Sequence, residues 1–241
     1  MPKDIQAYHE LVQMPWGKMF YDIVYLQLDL PTTPKLRVLD FGSGFGVCAS
    51  HYAQWHDITA IEPNTDMTAL RFTANQYKQI NGDITALRHY KNEFDLVICH
   101  NVLEYAQNKE EILAALASAA KPGGNISIVK HNIPGRIMAA AVFDEDPQKA
   151  SKLYDDTNAD SSSTFGDRSL YSNNDLLAWA SKNNLTTKAH YGVRAFYALT
   201  QNNSIKFDTS WYEKMLALEH KMANVDEFRK IAFLNHFVLK K

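Results

Sequence analysis

From Lys35 onward the chain alternates short apolar runs with longer segments of helical spacing. The runs Leu36–Phe41, Asp57–Ile61, Tyr77–Ile80, Phe94–Cys99 and Asn125–Val129 are only four to six residues long. Runs of that length, bounded by turn and capping residues, read as short strands. Between them lie predicted helices over residues 44–55, 65–75 and 108–120. In the last of these, Ile112, Leu113, Leu116 and Ala120 fall on one face. Strands that alternate with helices predict an α/β fold with a doubly wound, mostly parallel sheet. Two more strands, Leu185–Gly192 and Ile231–Leu239, bring the total to seven. Right-handed crossovers place the carboxyl ends of the parallel strands on one edge, where the loops at Gly42–Gly46, Glu62, Asp83 and His100 converge.

Helix starts are predicted from capping residues: Asn64 or Thr65, Ser172 or Asn173, and Thr209 or Ser210. Lys121-Pro-Gly-Gly124 is expected to end the helix over 108–120 before the fifth strand begins. Residues 4–30 carry two helical stretches broken near Pro15, the second rich in large apolar residues such as Met19, Phe20, Ile23 and Val24. We expect residues 1–34 to form an N-terminal helical cap. Residues 35–241 form the main domain, with a partly helical insertion at about 132–170. Within that insertion, Asp144–Asp167 carries seven acidic and two basic residues.

Composition narrows the picture further. The 241 residues are 46% hydrophobic with a formal net charge of -2, which gives no general electrostatic drive toward nucleic acid. The two cysteines, Cys48 and Cys99, lack metal-ligand spacing, so no metal is expected and a reducing, cytoplasmic setting fits. No apolar run approaches the length of a membrane span, and the first residues lack the pattern of a secretory signal.

The chemistry concentrates in Asp40-Phe-Gly42-Ser-Gly44-Phe-Gly46, a strand end followed by a turn whose glycines let a ligand approach the backbone. Its spacing misses the dinucleotide pattern G-x-G-x-x-G. Asp40 would repel a pyrophosphate and attract an ammonium. Glu62 closes the second strand, where a carboxylate accepts hydrogen bonds from the hydroxyls of an adenosine ribose. Asp83 follows the third strand and suits either the exocyclic amine of adenine or the cap of the next helix, with Ile84 against the ring. His100 ends the fourth strand. It can contact a cofactor, act as a general base or cap the following turn.

These elements, in this order, resemble the motifs of class I S-adenosylmethionine-dependent methyltransferases over residues 35–131. The resemblance implies a Rossmann-like fold with S-adenosyl-L-methionine as cofactor. Its cofactor-binding residues would be Asp40, Gly42, Ser43, Gly44, Glu62, Asp83, Ile84 and His100, and His100 is also the candidate catalytic residue. Glu104 and Tyr105 would stand behind them. Trp16-Gly-Lys18, His100-Asn-Val-Leu-Glu104, His131-Asn132, Gly192-Val-Arg194 and Leu218-Glu219 occur in an order similar to the tRNA 5-carboxymethoxyuridine methyltransferase family. That likeness implies Lys18 at the cofactor and Arg194, His131 and Asn132 at the acceptor, with Arg194 pairing with an anionic group. The chain departs from that family in two places. Phe20 stands where the family has an arginine in its N-terminal helix, and the acidic stretch 155–167 stands where the family is basic. The methyl acceptor is therefore open between a modified tRNA uridine and a small metabolite. A non-catalytic binder of the cofactor and an NAD-dependent dehydrogenase are the other readings.

Overall fold

The computed structural model describes residues 5–156, 162–163 and 166–241. The acidic stretch 155–167 therefore lies partly outside the described residues. The chain divides into two compact units. One comprises residues 30–129, 174–189 and 237–241, the other residues 1–29, 130–173 and 190–236.

The first unit holds the sheet. Its strands are β1 (Arg37–Phe41), β2 (Asp57–Glu62), β3 (Lys78–Asn81), β4 (Phe94–His100), β5 (Ala120–His131), β6 (Thr186–Val193) and β7 (Leu234–Lys240). The last three run on into the other unit. Their spatial order is β3-β2-β1-β4-β5-β7-β6. The β1–β2, β1–β4, β2–β3 and β4–β5 pairs are all parallel. β7 runs against β5: the backbone bonds that flank it join Gly123 to Lys241 at one end and Asn132 to Phe233 at the other. Val38, Leu39, Ile61, Leu96, Val97 and Ile126 are each at most 1% exposed, as strands covered on both faces require. The order of the strands reverses between β1 and β4. Open α/β sheets bind ligands at that crevice.

Helices α1 (Ile5–Gln13) and α2 (Pro15–Leu28) meet at Pro15, which occupies the first turn of α2, where its missing N–H costs nothing. α3 (Val47–Tyr52) and α4 (Thr65–Ala69) follow the first two strands. Asn64 caps α4 as expected, but α4 ends six residues earlier than its pattern predicts. The Arg71 guanidinium donates locally to the Thr68 carbonyl, and the Phe72 N–H donates to the distant Phe45 carbonyl, a tertiary bond that takes over from the helical ladder. α5 (Ile84–Leu87) is a single turn, and α6 (Lys109–Ala119) is capped by Asn108.

β5 begins at Ala120 rather than after the glycines. Ala120 pairs with Phe94 before the register shifts, so Lys121-Pro-Gly-Gly124 forms a bulge inside the strand instead of a turn before it.

In the second unit, α7 (Ile133–Met138) and a π-turn over Ala139–Phe143 precede α8 (Pro147–Asp155). α8 was hidden by its charge. Asp146 caps it, Pro147 opens it, and only Ala150 and Leu153 face inward. α9 (Asn173–Lys182), which begins at this unit's last residue and runs in the first, matches expectation, as does α10 (Thr209–Met222), except that Asp208 rather than Thr209 or Ser210 caps α10. The predicted strand over 231–239 is shorter, because Asp226–Ile231 forms α11. The Asn132 amide donates to the Lys230 and Ala232 carbonyls and stops that helix.

Two buried polar groups organise this unit. The Gln27 amide donates to the Gly192 carbonyl, and its oxygen lies 2.8 Å from His236 Nδ1. That oxygen can only accept, so Nδ1 carries the proton. Burial pushes the pKa of His236 down to about 3, so the ring stays neutral. Glu219 is 1% exposed and accepts the N–H groups of Ala195, Phe196 and Tyr197 at 2.8–2.9 Å. It thereby fixes the turn after β6, where Arg194 adopts a left-handed conformation (φ +60°).

Glu219→Ala would leave three backbone donors without their acceptor. We expect a loss of about 3 kcal/mol in urea unfolding, with Glu219→Gln intermediate because its carbonyl can still serve one side. An alanine variant as stable as the parent would show that the carboxylate does not hold this turn.

Candidate active site

The turn between β1 and α3 places Gly42, Gly44 and Gly46 at φ values of +71°, +56° and +70°. A Cβ on Gly42 would lie 2.3 Å from Val102 Cγ2, and one on Gly46 would lie 2.1 Å from the Tyr77 hydroxyl. Both the conformation and the crowding demand glycine. The turn is tied to β2: the N–H groups of Gly42 and Ser43 donate to the Ile61 carbonyl, and the Gly44 N–H donates to Glu62 Oε2 at 2.8 Å.

Three polar groups that border this turn are buried without a hydrogen-bond partner: Asp40 Oδ2, Ser43 Oγ and Asn101 Oδ1. Asp40 is the next-to-last residue of β1 and Asn101 follows β4, so they flank the point where the strand order reverses. Burial raises the pKa of Asp40 to about 7. The nearby Glu62 charge adds to the rise, and a hydrogen bond from the Ala49 backbone opposes it. Glu62 is also raised by burial, against the Asn64 and Gly44 N–H groups. Each of its oxygens accepts one of these bonds and keeps a second lone pair for a hydroxyl. The set suits a ligand that brings an ammonium and vicinal hydroxyls. A desolvated carboxylate with an open oxygen is stabilised by a cation and destabilised by an anion.

Asp83 caps α5, accepting from the Thr85 N–H at 2.8 Å, and that bond is the largest influence holding its carboxyl below the usual range. Asp83 is exposed, and Ile84 beside it is half-buried. His100 is held through one ring nitrogen. Nε2 lies 2.7 Å from the Ser127 hydroxyl, and Nδ1 lies 4.0 Å from Cys48 Sγ. Ser127 is fully buried on β5, so the ring is oriented by the neighbouring strand.

The remaining candidates belong to the second unit. Lys18 is paired with Asp22 at 2.6 Å, lies over the Tyr212 ring and is exposed. Asn132 spends its amide N–H groups on the Lys230 and Ala232 carbonyls, a structural use. His131 packs edge-on against Phe233, 5.6 Å between centroids. Burial, then the cations Arg136, Arg168, Lys130 and Arg194, hold its pKa well below the ordinary value, so it is neutral. Arg194 lines a cavity of about 440 Å³ together with Arg136, Lys149, Arg168 and Lys206. Its guanidinium lies 5.5 Å from the Tyr197 ring and 5.3 Å from the Phe233 ring, and its Nε is buried without an acceptor.

The sequence did not single out Asn101, Ser127, Arg136, Arg168 or Lys206. Asn101 carried a readable signal, since asparagine directly after a strand favours the left-handed conformation it adopts (φ +54°). The basic residues carried none, because they come from segments far apart in the chain. Among the described residues, no group of His, Cys, Asp and Glu could hold a metal ion, and no helix is long and apolar enough to cross a membrane.

A family model described as a methyltransferase domain matches residues 16–190. Among curated proteins, the tRNA 5-carboxymethoxyuridine methyltransferase of Escherichia coli (strain K12) is 28% identical over 113 residues, 43% of this chain and 43% of the relative. The ubiquinone biosynthesis O-methyltransferase of Rickettsia typhi is 31% identical over 110 residues, covering 43% of this chain and 44% of the relative. The chain thus spans less than half the length of these curated relatives. A solved S-adenosylmethionine dependent methyltransferase from Mesorhizobium loti superposes with a TM-score of 0.59 over 90% of this chain and 96% of its own, at 15% identity, which shows a shared fold. The family match runs from α2 into β6, through the glycine turn, Glu62 and the exit of β4, and the chain belongs to the methyltransferase domain family.

Proposed function

We propose that this protein is an S-adenosylmethionine-dependent methyltransferase. The observation that carries this reading is the open, desolvated carboxylate of Asp40 beside the left-handed glycine turn and Glu62. Asp40, Ser43 and Asn101 would receive the amino-acid end of the cofactor. Glu62 would take the ribose hydroxyls, and Asp83 and Ile84 the adenine. When bound, the cofactor supplies a methyl group on a sulfonium, already activated toward a nucleophile. The protein's contribution is then alignment and exclusion of water, and alignment alone supplies roughly 7–11 kcal/mol of barrier lowering. The same carboxylate speaks against a dinucleotide, whose pyrophosphate Asp40 would repel.

A specific observation bears on the acceptor. His100 is held through Nε2 by the Ser127 hydroxyl, and a nucleophile that needs no general base makes no further demand on it. A carboxylate is such a nucleophile at neutral pH; a hydroxyl is not. We favour an acceptor carboxylate, on a modified tRNA uridine or on a small metabolite. Incubation with labelled S-adenosylmethionine and either total tRNA or a small-molecule extract separates the two. Label incorporated as a base-labile ester supports the carboxylate, and a base-stable product contradicts it.

Glu62→Gln should weaken S-adenosylhomocysteine binding about 10- to 100-fold in calorimetry, because it loses charge-assisted hydrogen bonds worth about 1.5–3 kcal/mol. Unchanged affinity would remove Glu62 from the site.

Asp40 also predicts a trade between stability and function. Its folded pKa of about 7 lies above the ordinary carboxyl value of 3.8, so the folded state holds a proton that the unfolded state has lost between those values. Stability therefore falls as pH rises through that window. Asp40→Asn should stabilise the free protein at pH 8 by on the order of 1–3 kcal/mol, with the gain shrinking toward pH 5, while weakening the cofactor. A less stable variant at pH 8 would contradict the burial argument.

A further inference from the structure

We infer that Arg194 and Lys206 together hold one anionic group, a carboxylate on a small apolar molecule, in the cavity of the second unit. Every group involved belongs to this unit, so the site stands apart from the cofactor reading. Both residues line a space of about 440 Å³. Arg136, Lys149 and Arg168 line it too, but each of these has partners of its own. The unfilled donors belong to the other two.

Arg194 Nε is buried without an acceptor, and no group among the described residues accepts from the guanidinium. Glu219 is the carboxylate whose charge acts on it, but both Glu219 oxygens serve the N–H groups of Ala195, Phe196 and Tyr197. Aromatic faces flank the guanidinium instead, with the Tyr197 ring 5.5 Å away and the Phe233 ring 5.3 Å away. Rings attract a cation but do not fill the planar fork of N–H donors.

Lys206 comes from a separate turn, Ser204–Phe207, and is 4% exposed. Its ammonium donates to the Asn203 side-chain oxygen at 2.9 Å, a neutral partner, and has no other acceptor among the described residues. It lies 4.9 Å from the Tyr197 ring that Arg194 also faces, and 5.1 Å from the Phe143 ring. Burial, then the neighbouring Arg194, lowers its pKa. Two cations with donors to spare in a partly desolvated space are costly unless an anion joins them. A carboxylate serves both: its two oxygens match the guanidinium fork, and a remaining lone pair accepts from the ammonium. The wall limits what carries that carboxylate. Trp16, Phe143, Leu153 and Phe233 line the cavity, so an apolar body fits, and the volume holds a molecule of roughly one or two rings.

The test is calorimetry on the full chain with benzoate, benzamide and acetate. Benzoate and benzamide share a shape and differ in charge, whereas acetate keeps the charge and lacks the ring. Benzoate should bind roughly tenfold or more tightly than benzamide, because hydrogen bonds to a charged group outweigh neutral ones. Acetate should bind more weakly than benzoate. Lys206→Gln and Arg194→Gln, each verified as folded by thermal melting, should each lose most of the preference for benzoate over benzamide. A general loosening of the fold would weaken both ligands alike, so the ratio separates binding from a purely structural role. Benzoate binding no tighter than benzamide or acetate overturns the inference, and so does a folded variant that keeps the parent's ratio. The first comparison needs only the parent protein and decides the matter even if a variant fails to fold. Binding of S-adenosylhomocysteine is measured in the same samples, so failure of the cofactor reading and failure of this site are read separately.

Discussion

The structure depends on a carboxylate that the fold buries and does not satisfy. Asp40 is carried to the end of β1 by strand residues that are fully buried, and its outer oxygen receives no bond from the protein. Left alone, such a group takes up a proton, and its pKa near neutrality says that it is poised between the two forms. The three left-handed glycines beside it are a second local cost, and the Glu62 carboxylate that anchors them is desolvated too. Costs of this kind collect at functional sites, where a ligand rather than the protein completes the bonding.

The rest of the first unit holds this arrangement in place. The parallel pairing of β1 with β2 and β4 brings Glu62 and the Asn101 loop to either side of the turn. Val102 and Tyr77 press on it so closely that no side chain fits at Gly42 or Gly46. His100 is oriented from β5 through Ser127. The second unit follows a different logic. Its buried Gln27–His236 pair and the Glu219 carboxylate hold the backbone around β6 and β7, and beside them the Arg194 Nε is buried with no acceptor.

The fold was legible because the sheet announces itself: apolar runs too short for helices, punctuated by glycine, proline and capping residues. All seven strands and the glycine turn could be read this way. What escaped was decided by tertiary contacts. α4 stops where Phe72 finds Phe45, β5 starts before its glycines because Ala120 finds Phe94, and α8 hides inside an acidic stretch because only Ala150 and Leu153 turn inward. At the candidate site, Asp40, Glu62 and the glycines could be picked out because strand ends and a glycine-rich turn mark their positions in the sequence. Lys18 and Asn132 were inferred from likeness to a family, and the structure spends them on Asp22 and on backbone carbonyls. The basic cavity was invisible, since Arg136, Arg168, Arg194 and Lys206 meet only after the chain folds.

The central claim is that Asp40 waits for a cation. Titrating S-adenosylhomocysteine into the protein at pH 7, in buffers of different ionisation enthalpy, counts the protons exchanged on binding. The pKa of Asp40 is raised to about 7 and an arriving ammonium should drive it down, so binding should release part of a proton per ligand. Absence of binding, or binding without proton release, would contradict the account.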